Sequence, residues 1–270
     1  MEQIFKIIKP IRKNQFHWID FDIEEGTLIK RVMGVSHSMD SVHGILAEIP
    51  NAITHYDIPY EYIEPMYEYK KTIILLHGFN SGPGEKEQQV IAWLQKNNVH
   101  KDYTVIAPQL DNNPIEALRA LGYLIQDNYG DITIIGTSLG GFYANYIRAS
   151  NFSSNIKVHA INPSWNPSKT LEREVGKVLV NFKTGIEWSI DEKYLNGIQH
   201  LQIEVEGKLK KYQGEDYTLH LATNDELLHF DEILDYLNYK EVPYKRFEYD
   251  TNHRFEKMEE LLDNIQYKLI

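Results

Sequence analysis

The chain has 270 residues, carries a formal net charge of −11 and contains no cysteine. This acidity argues against nucleic acid or an anionic membrane surface as a main partner, because both select for clustered lysine and arginine. Without cysteine there is no disulfide, thiolate nucleophile or Cys-ligated metal site, so nucleophilic chemistry falls to serine, threonine, lysine or a carboxylate.

The first segment, residues 1–71, predicts β-hairpins and turns. Its opening stretch, MEQIFKIIKPIRKNQFHW, places lysines among its apolar residues and lacks the apolar core of a signal peptide, and no apolar run in the chain approaches the length of a membrane span. A cytoplasmic location is therefore expected. FHWIDFDI and TLIKRVMGV, joined by the turn EEG, predict an antiparallel hairpin, which the aromatic stretch HYDIPYEYIEPMYEY follows.

Two roles for this segment stay open from the sequence. The favoured one extends the edge of the main sheet and covers apolar surface, because a hairpin needs a sheet or a core to be stable. The other brings its tyrosines over a substrate pocket. A separate pattern, His37, Asp40 and His43, has metal-ligand types, but its steps of three residues wrap around a helix instead of lining one face, so no metal site is predicted.

From residue 72 to residue 270, short β-branched runs alternate with helical periodicity. The runs are TIILLHG, TVIAPQL, DITIIG, IKVHAINPS, YTLHLATND and PYKRFEYD. Apolar runs that alternate with helices indicate an α/β fold with a mostly parallel sheet covered by helices on both faces, and ligands bind such sheets at the carboxyl ends of the strands. A polar insertion, about residues 163–214, interrupts the alternation and predicts a small cap or lid.

One pentapeptide, GTSLG at residues 136–140, lies between a predicted strand and a predicted helix. This is the context of a nucleophile elbow, in which a tight turn between glycines exposes a serine hydroxyl. The following helix N-terminus favours developing negative charge. Ser138 is therefore the candidate nucleophile.

A serine nucleophile needs a base, and in this type of site the chain order is serine, acid, histidine. Two histidines lie late enough in the chain. His229 falls inside the helix-like stretch ELLHFDEILDYL, whereas His253 follows the predicted strand YKRFEYD in a loop at a strand's carboxyl end. His253 is the predicted base.

The acid is expected just past a strand, where TND follows YTLHLA. Asp225 is the first choice and Glu226 is its local rival. Asp250 is close to His253 along the chain and orients its ring less easily, although it stays open. Two further aspartates lie deeper in the next predicted helix and read as solvated surface charges: Asp231 and Asp235.

The tetrahedral intermediate of acyl transfer also needs hydrogen-bond donors for its oxyanion. The backbone N–H of Leu139 is one predicted donor, and that of Phe79, in the loop LLHGFNSGPGE, is the second. His77 shapes this loop and is not expected to act as a base. Phe142 and Trp165 are candidate walls of the substrate pocket, as are Phe79 and Tyr143.

These motifs together resemble the YqiA-like esterases, the UPF0227 family of the α/β-hydrolase superfamily. The resemblance runs from about residue 72 to the C-terminus and is carried by LLHGFNSGPGE, GTSLGGFYA, INPSWNP, NFKTG, ATNDELL and NHRF. It implies an α/β-hydrolase fold and an esterase or thioesterase that acts on small acyl esters without a cofactor. By position, Ser138 matches the nucleophile, Asp225 the acid and His253 the base. About 70 residues precede the matching region, unlike family chains, which leaves substrate size and oligomeric state open, a homo-oligomer included; Thr251-Asn252 also replaces a more glycine-rich turn.

The leading functional prediction is a serine esterase that hydrolyses small acyl esters through a Ser-His-Asp triad and an acyl-enzyme. The expected partner is a small-molecule acyl ester, with no nucleic acid, no metal and no stable membrane association. One alternative keeps the same residues and cleaves an acyl thioester or a lysophospholipid. Another is a catalytically inactive hydrolase fold whose N-terminal extension binds a protein.

Overall fold

A computed structural model describes residues 4–31, 44–50, 52, 54–65, 71–127, 131–150, 156–209 and 216–269. The chain divides into two compact units, Met1–Tyr69 and Lys70–Ile270. The histidine and aspartate pattern at residues 37, 40 and 43 lies outside the described residues. Within the described part of the chain, no helix combines the length and the apolar character that a membrane crossing requires.

The N-terminal unit is a five-stranded antiparallel sheet. Its strands are β1 (Ile4–Ile7), β2 (Leu28–Arg31), β3 (Gly44–Glu48), β4 (His55–Pro59) and β5 (Ile63–Pro65), in the order β4-β3-β2-β1-β5. In β1 the side chains of Phe5 and Ile7 are fully buried while Lys6 between them is partly exposed, which is the period-two pattern of a sheet with one covered face.

The hairpin expected in this unit is only partly correct. TLIKRVMGV does supply β2, but β2 pairs with β1 and β3. Residues 16–23 form turns with a single bridge between Ile11 and Ile23. Ile19 and Ile23 are buried although the segment forms no strand beyond this one bridge, so their apolar alternation resembled that of a strand. The described strands of this unit pair with one another in a sheet of their own, so the expectation that they extend the edge of the main sheet is wrong.

The C-terminal unit has a six-stranded parallel sheet. In chain order the strands of the unit are β6 (Lys71–Leu76), β7 (Tyr103–Ile106), β8 (Ile132–Thr137), β9 (Ile156–Ile161), β10 (Val178–Val180), β11 (Glu187–Ser189), β12 (Tyr217–Ala222) and β13 (Lys245–Tyr249). The main sheet has the order β13-β12-β9-β8-β6-β7, and each of its pairs is parallel. β10 and β11 form a separate antiparallel ribbon.

The helices cover both faces of this sheet, as the sequence predicts. They are α1 (Glu85–Lys96), α2 (Pro114–Asp127), α3 (Leu139–Ala149), α4 (Pro167–Leu171), α5 (Glu192–Leu209), α6 (Asp231–Tyr239) and α7 (Met258–Leu269). Side chains alternate along β6, so that Ile74 and Leu76 join one buried cluster with α2, α3, α5 and α6. Ile73 and Leu75 join a second cluster with α1 and α7. Two apolar layers therefore cover the two faces of the sheet, and the candidate site lies at the ends of its strands.

Two predicted elements differ in detail. The helix expected from Glu226 begins at Asp231, so His229 lies in the loop before it and is exposed. The insertion at 163–214 contains α4, the β10–β11 ribbon and α5, but α5 buries Ile198 and Val205 in the sheet's own core. The insertion is therefore not a separate cap, because Trp165 and Leu171 of its first half join the same buried cluster.

Candidate active site

Ser138 lies between β8 and α3 in a strained turn. Its backbone angles, φ 55° and ψ −116°, fall in a region that residues with a side chain rarely adopt. A Cβ on Gly136 would lie 2.3 Å from the Gly140 carbonyl oxygen, and one on Gly140 would lie 2.3 Å from the Leu76 oxygen. Glycine is required at both positions because strand, turn and helix pass so closely.

The serine hydroxyl meets the ring of His253. Ser138 Oγ lies 3.1 Å from His253 Nε2 and donates its hydrogen to that nitrogen. His253 belongs to the loop between β13 and α7, as predicted. The two side chains are 115 positions apart in the chain, and parallel strands bring them to one edge of the sheet.

The other ring nitrogen of His253 meets Asp225. Nδ1 lies 2.7 Å from Asp225 Oδ2, and the carboxylate accepts its hydrogen. The second carboxylate oxygen accepts the N–H groups of Leu227 and Leu228, each at 2.8 Å. Burial acts to raise the pKa of the Asp225 carboxyl, but the hydrogen bonds from His253, Leu228 and Leu227 outweigh it and hold that pKa below its ordinary value. Asp225 is therefore an ionised acceptor that fixes the tautomer of His253.

The two rival acids contact other groups. Glu226 accepts the backbone N–H of His253 at 3.1 Å, so it touches the main chain of that residue instead of its ring. The Asp250 carboxylate accepts a hydrogen bond from the Asn224 side chain at 2.8 Å. Geometry thus favours Asp225 over both.

Asn162 is a site residue that the sequence analysis missed. It is fully buried after β9, its φ is 42°, and its Oδ1 accepts the Ala222 N–H at 2.8 Å. Its Nδ2 donates to the His253 carbonyl at 3.3 Å. Asn162 therefore links the end of β12 to the loop of His253. The end of β12 leads directly to Asp225. A polar residue directly after an apolar strand was the available signal.

The loop that carries Phe79 passes close to the serine, since a Cβ on Gly78 would lie 3.3 Å from Ser138 Cβ. Leu139 is the first residue of α3, where a backbone N–H has no acceptor within its own helix. Phe79 lies in the loop after β6, which His77 fixes. The Leu110 N–H donates to His77 Nε2 at 3.0 Å, so Nδ1 carries the hydrogen and donates to the Gly78 carbonyl at 2.8 Å. With both ring nitrogens engaged, His77 is a loop-shaping residue.

A pocket adjoins the serine on the side of β6 and β7. Phe79 and Tyr143 line it, as the sequence suggests for aromatic residues near the turn, whereas Phe142 and Trp165 do not. Phe142 is buried in the core, and the Trp165 ring packs on Tyr236 with centroids 4.7 Å apart. The lining residues are His77, Gly78, Phe79, Asn80, Ser81, Leu110, Asp111, Asn112, Leu139, Tyr143, Trp188 and Tyr194.

Comparison with known protein families identifies the family of the chain. The model of an uncharacterised protein family, UPF0227, matches residues 72–268. The chain belongs to UPF0227. The matched region of this UPF0227 chain begins within β6 and ends within α7. It therefore covers the main sheet apart from Lys71, together with each of the site residues described above.

Solved structures show the same fold at low identity. Est1E from Butyrivibrio proteoclasticus matches with a TM-score of 0.57 at 17% identity, covering 76% of the UPF0227 chain and 88% of Est1E. The S-formylglutathione hydrolase FrmB of Staphylococcus aureus gives 0.54 at 14% identity, covering 77% and 88%. A monoacylglycerol lipase of Paleococcus ferrophilus gives 0.52 at 15% identity, covering 73% and 93%. The UPF0227 chain therefore has the α/β-hydrolase fold, which confirms the predicted fold class.

No cluster of three or more histidine, aspartate or glutamate side chains in the described residues has the arrangement of a metal site. The candidate site combines a partly exposed serine, a histidine within hydrogen-bond reach of it and a carboxylate that orients the histidine.

Proposed function

We propose that this protein is a serine esterase that hydrolyses small acyl esters. The observation that carries the proposal is the unbroken hydrogen-bonded path from Ser138 through His253 to Asp225, with distances of 3.1 and 2.7 Å. Each contact lies within the reach that proton transfer requires. The hydrolase fold and the family membership support the proposal.

In the first half of the proposed reaction, Ser138 Oγ attacks the carbonyl carbon of the ester while His253 Nε2 takes its proton. Asp225 stabilises the imidazolium that forms, and the N–H groups of Phe79 and Leu139 hold the oxyanion. The bond between the acyl carbon and the alcohol oxygen then breaks, and His253 gives its proton to that oxygen.

In the second half, water attacks the acyl-serine and His253 takes one of its protons. The second tetrahedral intermediate collapses, the carboxylic acid leaves, and the proton returns to Ser138 Oγ. The cycle consumes one ester and one water and regenerates the hydroxyl. The proposed partner is thus a small-molecule acyl ester. Thioester or lysophospholipid cleavage, the oligomeric state and the cytoplasmic location stay predictions.

A fluorophosphonate probe tests this proposal, because such probes phosphonylate activated serines. We expect the folded protein to be labelled at Ser138, as located by peptide mass spectrometry. Ser138→Ala should abolish the labelling, His253→Ala should slow it strongly, and heat-denatured protein should not react. A folded protein that stays unlabelled at Ser138 would contradict the esterase and favour the inactive, partner-binding alternative.

A further inference from the structure

The sheet order separates the two ends of a bound ester. Ser138 follows β8; β9, β12 and β13 lie on one side of it and β6 and β7 on the other. His253 follows β13, and it must protonate the departing oxygen, so the alcohol portion lies on the β13 side. The acyl portion therefore extends over the loops after β6 and β7, where the pocket lined by Phe79 and Leu110 lies.

The pocket walls combine aromatic rings with polar side chains, among them Asn80, Asp111 and Asn112. The Phe79 and Trp188 rings meet with their centroids 5.5 Å apart, and Trp188 and Tyr194 with theirs 5.8 Å apart. Burial raises the pKa of Tyr194 well above its ordinary value, so its hydroxyl is neutral across the physiological range. Because the Asp111 carboxylate repels negative charge and Tyr194 is neutral, these walls favour an uncharged acyl group over an anionic one.

The pocket is also small. The volume of the cavity is about 20 Å³. That is roughly the room that one water molecule needs. A methyl group is of similar size, whereas a longer alkyl chain would have to displace a wall or extend out through the open side of the pocket.

Among the residues that line the pocket, Trp188 is held in place by hydrogen bonds. It lies on β11, and its indole N–H donates to Asn80 Oδ1 at 2.8 Å, while Asn80 Nδ2 donates to the Val180 carbonyl on β10 at 2.9 Å. The Phe182 N–H donates to the Asn80 carbonyl at 3.1 Å, and Asn181 Nδ2 donates to the Ser81 carbonyl at 2.9 Å. These bonds attach the ribbon directly to the loop that carries Phe79.

We propose that this pocket is the acyl subsite and that Trp188 restricts it to very short acyl groups, acetyl above all. The inference rests on the proposed function, since it assumes that Ser138 is the nucleophile and His253 the base. It makes Trp188 the specificity-determining residue and the protein an acetylesterase by preference.

The test compares kcat/KM for the p-nitrophenyl esters of acetate, butyrate, hexanoate and octanoate. For the wild-type protein we expect the values to fall by about tenfold or more from acetate to hexanoate, the scale on which a pocket discriminates by methylene groups. Trp188→Ala should raise the hexanoate-to-acetate ratio by about tenfold or more. Trp188→Phe, which removes less volume, should shift the ratio in the same direction but less, and it serves if the alanine variant does not fold.

Trp93→Phe is the matched control. Like Trp188, Trp93 donates its indole N–H to a side chain, here Asp263 at 2.8 Å. Trp93 is buried and lies on α1, in the cluster on the other face of the sheet. We expect its profile to equal that of the wild type.

Fluorophosphonate labelling, run in parallel, distinguishes a failure of the acyl-subsite inference from a failure of the proposed function. If Ser138 is labelled but wild-type and Trp188-substituted proteins share one chain-length profile, or the wild type prefers octanoate, the acyl-subsite inference is overturned and the esterase proposal stands. If Ser138 is not labelled and no ester is hydrolysed, both are overturned.

Discussion

Two regions border Ser138, and they are held together in different ways. On the β13 side, Asn162 joins the end of β12 to the His253 loop, and Asp225 is fixed by the N–H groups directly after it. On the β6 side, the loop after β6 depends on side-chain amides that reach 100 positions along the chain, at Asn80 and Asn181. In the proposed mechanism, the first region orients the reacting groups and the second sets the space beside them.

This difference suggests a division of labour. The reacting groups lie on loops that follow strands of the main sheet, where a few short motifs suffice to place them. The pocket wall lies on a ribbon inside an insertion, which can differ in shape without disturbing the sheet. Substitutions in the first region should therefore abolish turnover, and those in the second should change which substrates are accepted or how stable the protein is.

The largest effect is expected from removing the reacting groups. Ser138→Ala and His253→Ala should each lower kcat by about 10⁴-fold or more, because the members of such a site act as a unit. The double variant should be no slower than the slower single variant. Steady-state kinetics on p-nitrophenyl acetate measure this, with circular dichroism as the control for folding.

If the two losses multiplied in the double variant, Ser138 and His253 would be acting independently. The proposed proton transfer between them would then be incorrect, and so would the proposed role of the β13 side in orienting the reacting groups.

The second prediction separates Asp225 from Glu226. Asp225→Asn should lower kcat by roughly 10³- to 10⁴-fold, because an amide can donate to Nδ1 and so favour the tautomer with hydrogen on Nε2. Glu226→Gln should cost less than about tenfold, since the amide oxygen still accepts the His253 N–H. The two isosteric variants are controls for each other in the same kinetic assay, and the reverse ranking would move the acid to Glu226.

The pH dependence of stability gives a further check on Asp225. Its pKa is lowered in the folded protein, so the carboxylate contributes stability above the unfolded value of about 3.9, and this contribution is lost as the pH falls through the lowered folded pKa. The difference in melting temperature between wild type and Asp225→Asn should therefore shrink towards pH 3. A difference that stayed constant between pH 7 and pH 3 would contradict the ionised, hydrogen-bonded state.

The smallest effect on turnover is expected at Asn181 in the ribbon. Its side chain is buried; Oδ1 accepts the N–H groups of Lys183 and Thr184 at 2.9 Å, and Nδ2 donates to Ser81. Asn181→Ala should lower the free energy of unfolding by about 1–3 kcal/mol, because it leaves buried groups without partners. The kcat for acetate should change by less than about tenfold.

Asn181→Asp refines this test, since its carboxylate can still accept from Lys183 and Thr184 but cannot donate to Ser81. We expect it to be more stable than Asn181→Ala in chemical denaturation, while hexanoate selectivity shifts in both variants. A collapse of kcat as deep as that of Ser138→Ala would remove the distinction between the two regions.

The same division explains what the sequence could predict. The main sheet followed from apolar runs alternating with helical periods, and the turn at Ser138 followed from its glycines, because both signals are local. The loop position of His253 was also predictable from the strand before it. These features depend on neighbours within about ten residues.

Other features depend on contacts that no local pattern encodes. Residues 16–23 alternate like a strand but form turns, and Ile19 and Ile23 are buried although the segment makes only one bridge, to Ile11. Trp188 gave no signal, since its role arises from Asn80, 108 positions away. Phe142 was proposed for the pocket on its closeness to Ser138 in sequence, but at that point of α3 the helix turns its side chain into the core.

The ring of His77 gives the loop after β6 an acid sensitivity of its own. Burial lowers the pKa of this imidazole, although its hydrogen bond to Gly78 opposes the shift, so the fold favours the neutral ring that accepts the Leu110 N–H. The stability gained from this neutral ring is complete above the unfolded pKa of about 6.5 and is lost as the pH falls through the lowered folded value. A proton on Nε2 would displace Leu110 and free the loop that carries Phe79 from the end of β7. We therefore expect falling pH to loosen this loop through a histidine that takes no part in the proposed proton transfers.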